Sequence, residues 1–174
     1  MKNFLIVVDM QNDFVDGSLG TKEALDIVDN VVNKINNFDG EIIATYDTHF
    51  ENYLNTLEGK NLPVKHCIKG TDGWQINHKV ASALNKKSFT ALEKFTFGSK
   101  ELPQLLIDKA KNEDFTIELI GLCTDICVVS NALLLKANFP EKQITVDASC
   151  CAGVTIQTHH AALSTMKMCQ INII

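Results

Sequence analysis

The sequence predicts an α/β protein, a three-layer α/β/α sandwich on a six-stranded, mainly parallel sheet. Phe4–Val8 is a continuous apolar run that stops at Asp9, and Thr116–Leu122 likewise reads as a buried strand running into a tight turn. Between such segments lie stretches with helical periodicity, the clearest having apolar residues at Ala24, Ile27, Val28, Val31, Val32 and Ile35. The two kinds of segment alternate along the chain, and that order stacks helices against a sheet of sequential strands. With 174 residues, 45% apolar content and no internal repeat, one domain with a substantial core is the default.

Each element follows from local signals. The first strand delivers Asp9 to its carboxyl end, followed by Met10-Gln11-Asn12-Asp13-Phe14. After a loop at Gly17–Gly20, Thr21-Lys22-Glu23-Ala24 starts a helix that Asp39-Gly40 stops. Glu41–Tyr46 is the second strand and runs directly into Asp47-Thr48-His49. From Asp47 to Gly73 the chain has little periodicity, and a connection of that length inside a compact domain is usually functional. Ile76–Leu84 reads as helix and Phe89–Leu92 as a short strand, which leaves Lys94 just past a strand end. Leu102–Ala110 is helical, with Pro103 tolerated in the first turn. The strand at Thr116–Leu122 turns into a helix that opens near Asp125 or Ile126 and closes at Asn138-Phe139-Pro140. Gln143–Asp147 is the fifth strand, Ile156–Met168 a helix and Gln170–Ile174 the sixth strand.

Composition narrows the partners. A net charge of −5 without any basic run gives nucleic acid no electrostatic footprint, so small molecules or protein partners fit better. The apolar run at the amino end is too short for a signal peptide or a membrane span, which points to the cytoplasm and away from a membrane. The six cysteines at 67, 123, 127, 150, 151 and 169 form no spaced disulfide framework and no CxxC pair, and reduced thiols are the simpler state.

Three groups of residues have chemical potential. Cys127 falls in the first turn of its helix, where free N–H groups and the helix dipole favour a thiolate and can receive an oxyanion; the plain alternative is a small buried hydrophobe. Asp9 lies at the sheet edge where ligands bind in open α/β folds, though an Asp there also caps loops. Lys94 by itself reads as a solvated surface lysine. Asp47, His49, Glu58 and His66 form an oxygen and nitrogen donor set suited to zinc, iron or manganese, and Asp-x-His at a strand end can aim both side chains one way. Polar loops also collect such residues by chance. Phe14, Phe97 and Trp74 are candidates to wall an aromatic ring or to be ordinary core.

Asp9-Met10-Gln11-Asn12-Asp13-Phe14, Glu93-Lys94-Phe95 and Gly121-Leu122-Cys123-Thr124-Asp125-Ile126-Cys127-Val128, with Asp147–Val154 further on, together resemble the isochorismatase-like cysteine hydrolases over nearly the whole chain. The resemblance implies that residues 1–174 are a single isochorismatase-like hydrolase domain with strand order 3-2-1-4-5-6. It implies a catalytic triad of Asp9, Lys94 and Cys127, and a cis Leu122-Cys123 bond that aims the N–H groups of Cys123 and Cys127 into an oxyanion hole. Asp47, His49, Glu58 and His66 are similar to the metal ligands of the nicotinamidase/pyrazinamidase branch. Relatives acting on carbamoyl or ureido substrates generally lack such ligands, and true isochorismatases generally lack the cysteine. The implied activity is hydrolysis of nicotinamide to nicotinic acid and ammonia through a thioester, with a divalent transition metal, zinc first and iron or manganese next, that orients the ring. The alternatives are a cysteine hydrolase of another small amide and a silent relative that only binds. The implied assembly is a homodimer or homotetramer. One departure is that Trp74 follows His66, where many nicotinamidases place a tryptophan before the last metal histidine.

Overall fold

The computed structural model describes residues 1–174. Six strands, β1 (Lys2–Val8), β2 (Glu41–Asp47), β3 (Thr90–Lys94), β4 (Phe115–Leu122), β5 (Ile144–Ala152) and β6 (Asn172–Ile173), form one sheet in the order β3-β2-β1-β4-β5-β6. Every neighbouring pair is parallel, which sharpens the expected mainly parallel sheet to a wholly parallel one. Helices α1 (Asn12–Val15), α2 (Lys22–Asp26), α3 (Val28–Asn37), α4 (Leu57–Asn61), α5 (His78–Lys87), α6 (Leu102–Ala110), α7 (Val129–Asn138) and α8 (Ile156–Met168) complete the chain, with a π-helical turn at Thr124–Val128 leading into α7. No helix is long and apolar enough to cross a membrane.

Phe4 through Val8 are all fully buried because β1 is central and covered on both sides. Leu5 and Val7 pack with Val28, Val31 and Ile35 of α3 and Val80 and Leu84 of α5. Phe4, Ile6 and Val8 pack with Leu102 and Leu106 of α6, Leu135 of α7 and Met166 of α8. Period-two alternation thus sends β1 residues into two cores, each large side chain contributing about 1.5–3 kcal/mol of apolar burial.

Several boundaries differ from the sequence expectation. The helix expected from Thr21 to Asp39 is two helices that meet at Ile27, and both halves keep the apolar stripe inward. β5 continues through Ser149-Cys150-Cys151-Ala152, because Cys151 and Ala152 pair with Gly121 and Leu122 after a shift of register. The sixth strand shrinks to Asn172–Ile173 at the sheet edge.

Strand order reverses at β1, which lies between β2 and β4, and this is where an open parallel sheet leaves a crevice at its carboxyl edge. Gly121 allows β4 to close on β1 there. Its φ is +115°, and a Cβ would lie 2.1 Å from the Val8 carbonyl oxygen.

Candidate active site and metal centre

Four strand ends converge on the crevice. Asp9 follows β1 in the left-handed region (φ +47°), a conformation that Asp tolerates better than most residues. Asp47 and Lys94 are register partners at the ends of β2 and β3. Cys123 follows β4 across a cis Leu122-Cys123 peptide, and the next residues form the π-turn that carries Cys127. β3 thus runs two residues past its expected end and brings Lys94 into the sheet. The side chain is completely buried, and the surface-lysine alternative fails.

Lys94 Nζ lies 2.7 Å from Asp9 Oδ2, 3.0 Å from Asp47 Oδ1, 3.2 Å from the Thr96 carbonyl and 3.4 Å from Cys127 Sγ. Thr45 Oγ1 donates to Asp9 Oδ1 at 2.6 Å and accepts the Asp9 N–H at 3.2 Å, while Oδ2 has the Lys94 ammonium as its ion-pair partner. Burial raises the Asp9 pKa against the opposing Lys94 cation, and Asp47 adds to the rise. Lys94 is pushed well up, because the Asp9 and Asp47 carboxylates and the Cys127 sulfur outweigh its own desolvation.

The thiol departs from expectation. Burial, then the Asp9 charge, push the Cys127 thiol well above the ordinary range, against the opposing Lys94 cation. The helix-start position was expected to favour a thiolate. Here desolvation and two nearby carboxylates win and favour the thiol, with Cys127 Sγ and Asp9 Oδ2 both against Lys94 Nζ. No acceptor within the protein takes the Cys123 N–H.

The long connection folds back over this group. Its Asp47, His49, Glu58 and His66 each place one ligand atom within 4.8 Å of the others. His49 Nε2 is 3.0 Å from Asp47 Oδ2 and 3.5 Å from Glu58 Oε1; His66 Nε2 is 3.8 Å from each of those oxygens. Ligands about 2.1 Å from one ion stand roughly 3.0 Å apart at right angles and about 3.4 Å apart at tetrahedral angles, so the shorter of these separations suit a shared ion. His49 Nε2 is buried with no hydrogen-bond partner, as a ligand nitrogen would be. His66 Nδ1 is 2.8 Å from the Val64 carbonyl, which leaves Nε2 to face the cluster. Asp9, Asp47 and Glu58 bring three negative charges to the crevice and Lys94 one positive, a deficit that a dication balances. The residues fit a divalent ion.

A cavity of about 240 Å³ opens between the metal cluster and the thiol, lined by Phe14, Leu19, Leu62, Phe97, Ile126 and Val154 together with Asp47, Glu58, His66, Cys123 and Cys127. Phe14 and Phe97, candidates to wall a ring, both line this cavity. Trp74 does not. Its ring packs against Tyr46 at 5.2 Å and its Nε1–H donates to Thr48 Oγ1, so it lies in the core beside β2, outside the cavity.

Sequence reasoning also missed the residues that hold the site in shape. Tyr53 is fully buried with its ring edge-on to both His49 (4.7 Å) and His66 (5.0 Å), and its hydroxyl donates to the Leu62 carbonyl. Gln11 clamps the Asp47 backbone, accepting its N–H at 2.8 Å and donating to its carbonyl at 2.9 Å. The only signal for either was its place in or beside a polar stretch.

A covered parallel sheet with a thiol, a carboxylate and a lysine gathered at its carboxyl edge defines an α/β protein of the cysteine-hydrolase class. The chain belongs to the isochorismatase domain family, whose model matches residues 3–174. It is 24% identical to the nicotinamidase/pyrazinamidase of Mycobacterium tuberculosis, covering 98% of this chain and 97% of that one. The crystal structure of pyrazinamidase/nicotinamidase from Streptococcus mutans superposes with a TM-score of 0.85 at 27% identity, over 99% of this chain and 100% of the other. The pyrazinamidase of Pyrococcus horikoshii, solved in complex with zinc, superposes with a TM-score of 0.77 at 22% identity, over 100% and 99% of the two chains.

Proposed function

We propose that this protein is a metal-dependent cysteine amidohydrolase, a nicotinamidase that converts nicotinamide and water to nicotinic acid and ammonia. The observation that carries the reading is that Cys127, bonded to the Lys94 that also pairs with Asp9, opens onto the same cavity as Asp47, Glu58 and His66 of the metal-binding cluster. Nicotinamidases and pyrazinamidases among the relatives support it.

Asp9 takes the thiol proton as Sγ attacks the carboxamide carbon, a transfer eased by the raised pKa of the acceptor. The N–H groups of Cys123 and Cys127 receive the oxyanion. Asp9 returns the proton to the amide nitrogen, the C–N bond breaks, and ammonia leaves a thioester on Cys127. Water, giving a proton to Asp9, then attacks the thioester, and the sulfur is reprotonated as nicotinic acid departs. Lys94 holds the two acids and the transient thiolate together throughout. Asp47, His49, Glu58 and His66 would hold a zinc ion, with iron or manganese suiting the same donors, and the ion would supply a coordination point for a ring nitrogen or for a water touching it.

The cavity wall favours a neutral amide. Its ionisable side chains are acids, histidine and thiols, and the chain contains no arginine. A carboxylate-bearing carbamoyl substrate finds no cationic side chain on that wall to pair with. We extend the proposal to one domain over residues 1–174, working in the cytoplasm as a homodimer or homotetramer. The exposed stacked pair Phe50 and Phe95 offers an apolar contact for such assembly, which sedimentation would read.

The test is ammonia release from nicotinamide, pyrazinamide, benzamide and an N-carbamoyl amino acid, each with and without a chelator. Chelator-sensitive hydrolysis of the first two is expected. Chelator-insensitive hydrolysis of the carbamoyl compound alone would place the protein with metal-free amidases of the same fold.

A further inference from the structure

Resting on that reading, we propose that Asn131 is a positioning residue that ties the Cys127 nucleophile to the Phe97 wall of the cavity and so holds a ring amide at attacking distance. Asn131 is the third residue of α7, one helical turn after Cys127, and its side chain is fully buried. An asparagine inside a helix ordinarily faces water or bonds back within its own turn. Here Nδ2 donates both to the Cys127 carbonyl at 2.8 Å and to the Phe97 carbonyl at 3.3 Å, while Oδ1 accepts the Ser99 N–H at 2.9 Å. Two carbonyls and one N–H call for two donors and one acceptor, which among small side chains only a carboxamide supplies.

The segment held in this way runs from Lys94 to α6. Thr96 gives its carbonyl to Lys94 Nζ, Phe97 lines the cavity while remaining 47% exposed, and a Cβ at Gly98 would come within 3.3 Å of the Ser130 backbone. The Phe97 ring therefore has solvent on one side and little packing to fix it. Its backbone is fixed through one buried amide, and the same amide bonds to the residue that carries the attacking sulfur. Lys94, which bonds both the Thr96 carbonyl and Cys127 Sγ, ties the same segment to the sulfur, and Asn131 is the tie that reaches Phe97 itself. A misplacement of about 1 Å in such a geometry costs on the order of 10²-fold in rate.

The experiment compares wild type with Asn131→Ala and Asn131→Ser, alone and combined with Phe97→Ala. It reads kcat and KM for nicotinamide and pyrazinamide, and separately the rate at which iodoacetamide alkylates Cys127, followed by peptide mass. Serine can still bond back to the Cys127 carbonyl but cannot reach Phe97 or Ser99. Asn131→Ser should therefore keep Cys127 alkylation within about twofold of wild type while kcat/KM falls about tenfold or more. Asn131→Ala should lower both. In the Phe97→Ala background the Asn131→Ser effect on kcat/KM should largely vanish, since the wall it positions is gone. A purely structural role would lower the melting temperature and leave the kinetics of the folded protein and the additivity of the two changes untouched, and that result overturns the proposal. If the alanine variant does not fold, the serine variant decides. If wild type hydrolyses neither amide while Asn131→Ala still slows alkylation, the nicotinamidase reading fails and the tie to Cys127 stands.

Discussion

Lys34 and Lys94 are each wedged between two carboxylates at 3.0 Å or less, and only Lys94 belongs to a site. Lys34 Nζ bridges Glu118 at 2.6 Å and Asp147 at 2.8 Å, on the part of the sheet face that α3 leaves uncovered. Lys94 bridges Asp9 and Asp47 at similar distances. The groove at Lys34 is also the larger of the two, about 660 Å³ against 240 Å³. What separates them is depth and what remains after pairing. Lys34 is 24% exposed and its neighbours satisfy one another, Asp147 also taking the Ser149 N–H and hydroxyl. Lys94 has no exposure, a thiol rests on it, and a ligand nitrogen nearby has no partner. Size and charge count do not mark the site; buried groups with unspent chemistry do.

Removing the two lysines tests the contrast most strongly. Lys94→Ala leaves two buried acids facing each other and should cost about 3–5 kcal/mol of stability, with turnover down 10²-fold or more in whatever folds. Lys34→Ala opens onto water and should cost about 1 kcal/mol with turnover unchanged. Denaturant midpoints and ammonia release read both, and equal losses at the two sites would erase the distinction.

Asp9→Asn keeps the shape and the Thr45 contact but cannot accept the thiol proton. A fall in kcat of roughly 10²–10⁴ is expected with little change in KM. Next in size, His49→Ala should lower the bound metal from about one equivalent by elemental analysis and remove nicotinamide hydrolysis, while Cys127 still reacts with iodoacetamide. Loss of metal with full nicotinamide turnover would show that the ion plays no part in holding the substrate.

The smallest effect is the acid dependence of the Lys34 pair. Burial raises and Lys34 and Ser149 lower the Asp147 pKa, with a net fall below the ordinary carboxylate value. A carboxyl more acidic in the folded state than in the unfolded one stabilises above the unfolded pKa, about 3.9, and loses that contribution as pH drops through the folded value. The stability gap between wild type and Asp147→Asn should be constant near neutrality and close below about pH 4. A gap that widened in acid would reverse the assignment.

The fold was readable because strand runs end sharply. Val8 to Asp9 and Tyr46 to Asp47 are changes from apolar to polar that place chemistry at strand ends. Lys94 was not readable in isolation, since nothing local distinguishes a buried lysine from a solvated one; its place depends on the Asp47 register partner across the sheet. His66 and Glu58 were legible as donor types, but their convergence depends on α4 and on the Tyr53 ring packed against both histidines. Thr45 was invisible because its contact is with Asp9, more than thirty positions away, and Asn131 because its local bond to Cys127 gains meaning only with the distant Phe97 and Ser99 contacts. Trp74 misled because an aromatic close to ligands in sequence packs against whichever sheet edge its loop returns to.

The central claim is that the buried thiol is the nucleophile and the cation cluster only positions the substrate. Nicotinamide turnover quenched in acid, followed by peptide mass analysis, addresses it most directly. The account expects a nicotinoyl group on the Cys127 peptide in wild type, its absence in Cys127→Ala, and ammonia release falling to background in that variant. Ammonia release by Cys127→Ala at the wild-type rate would contradict it.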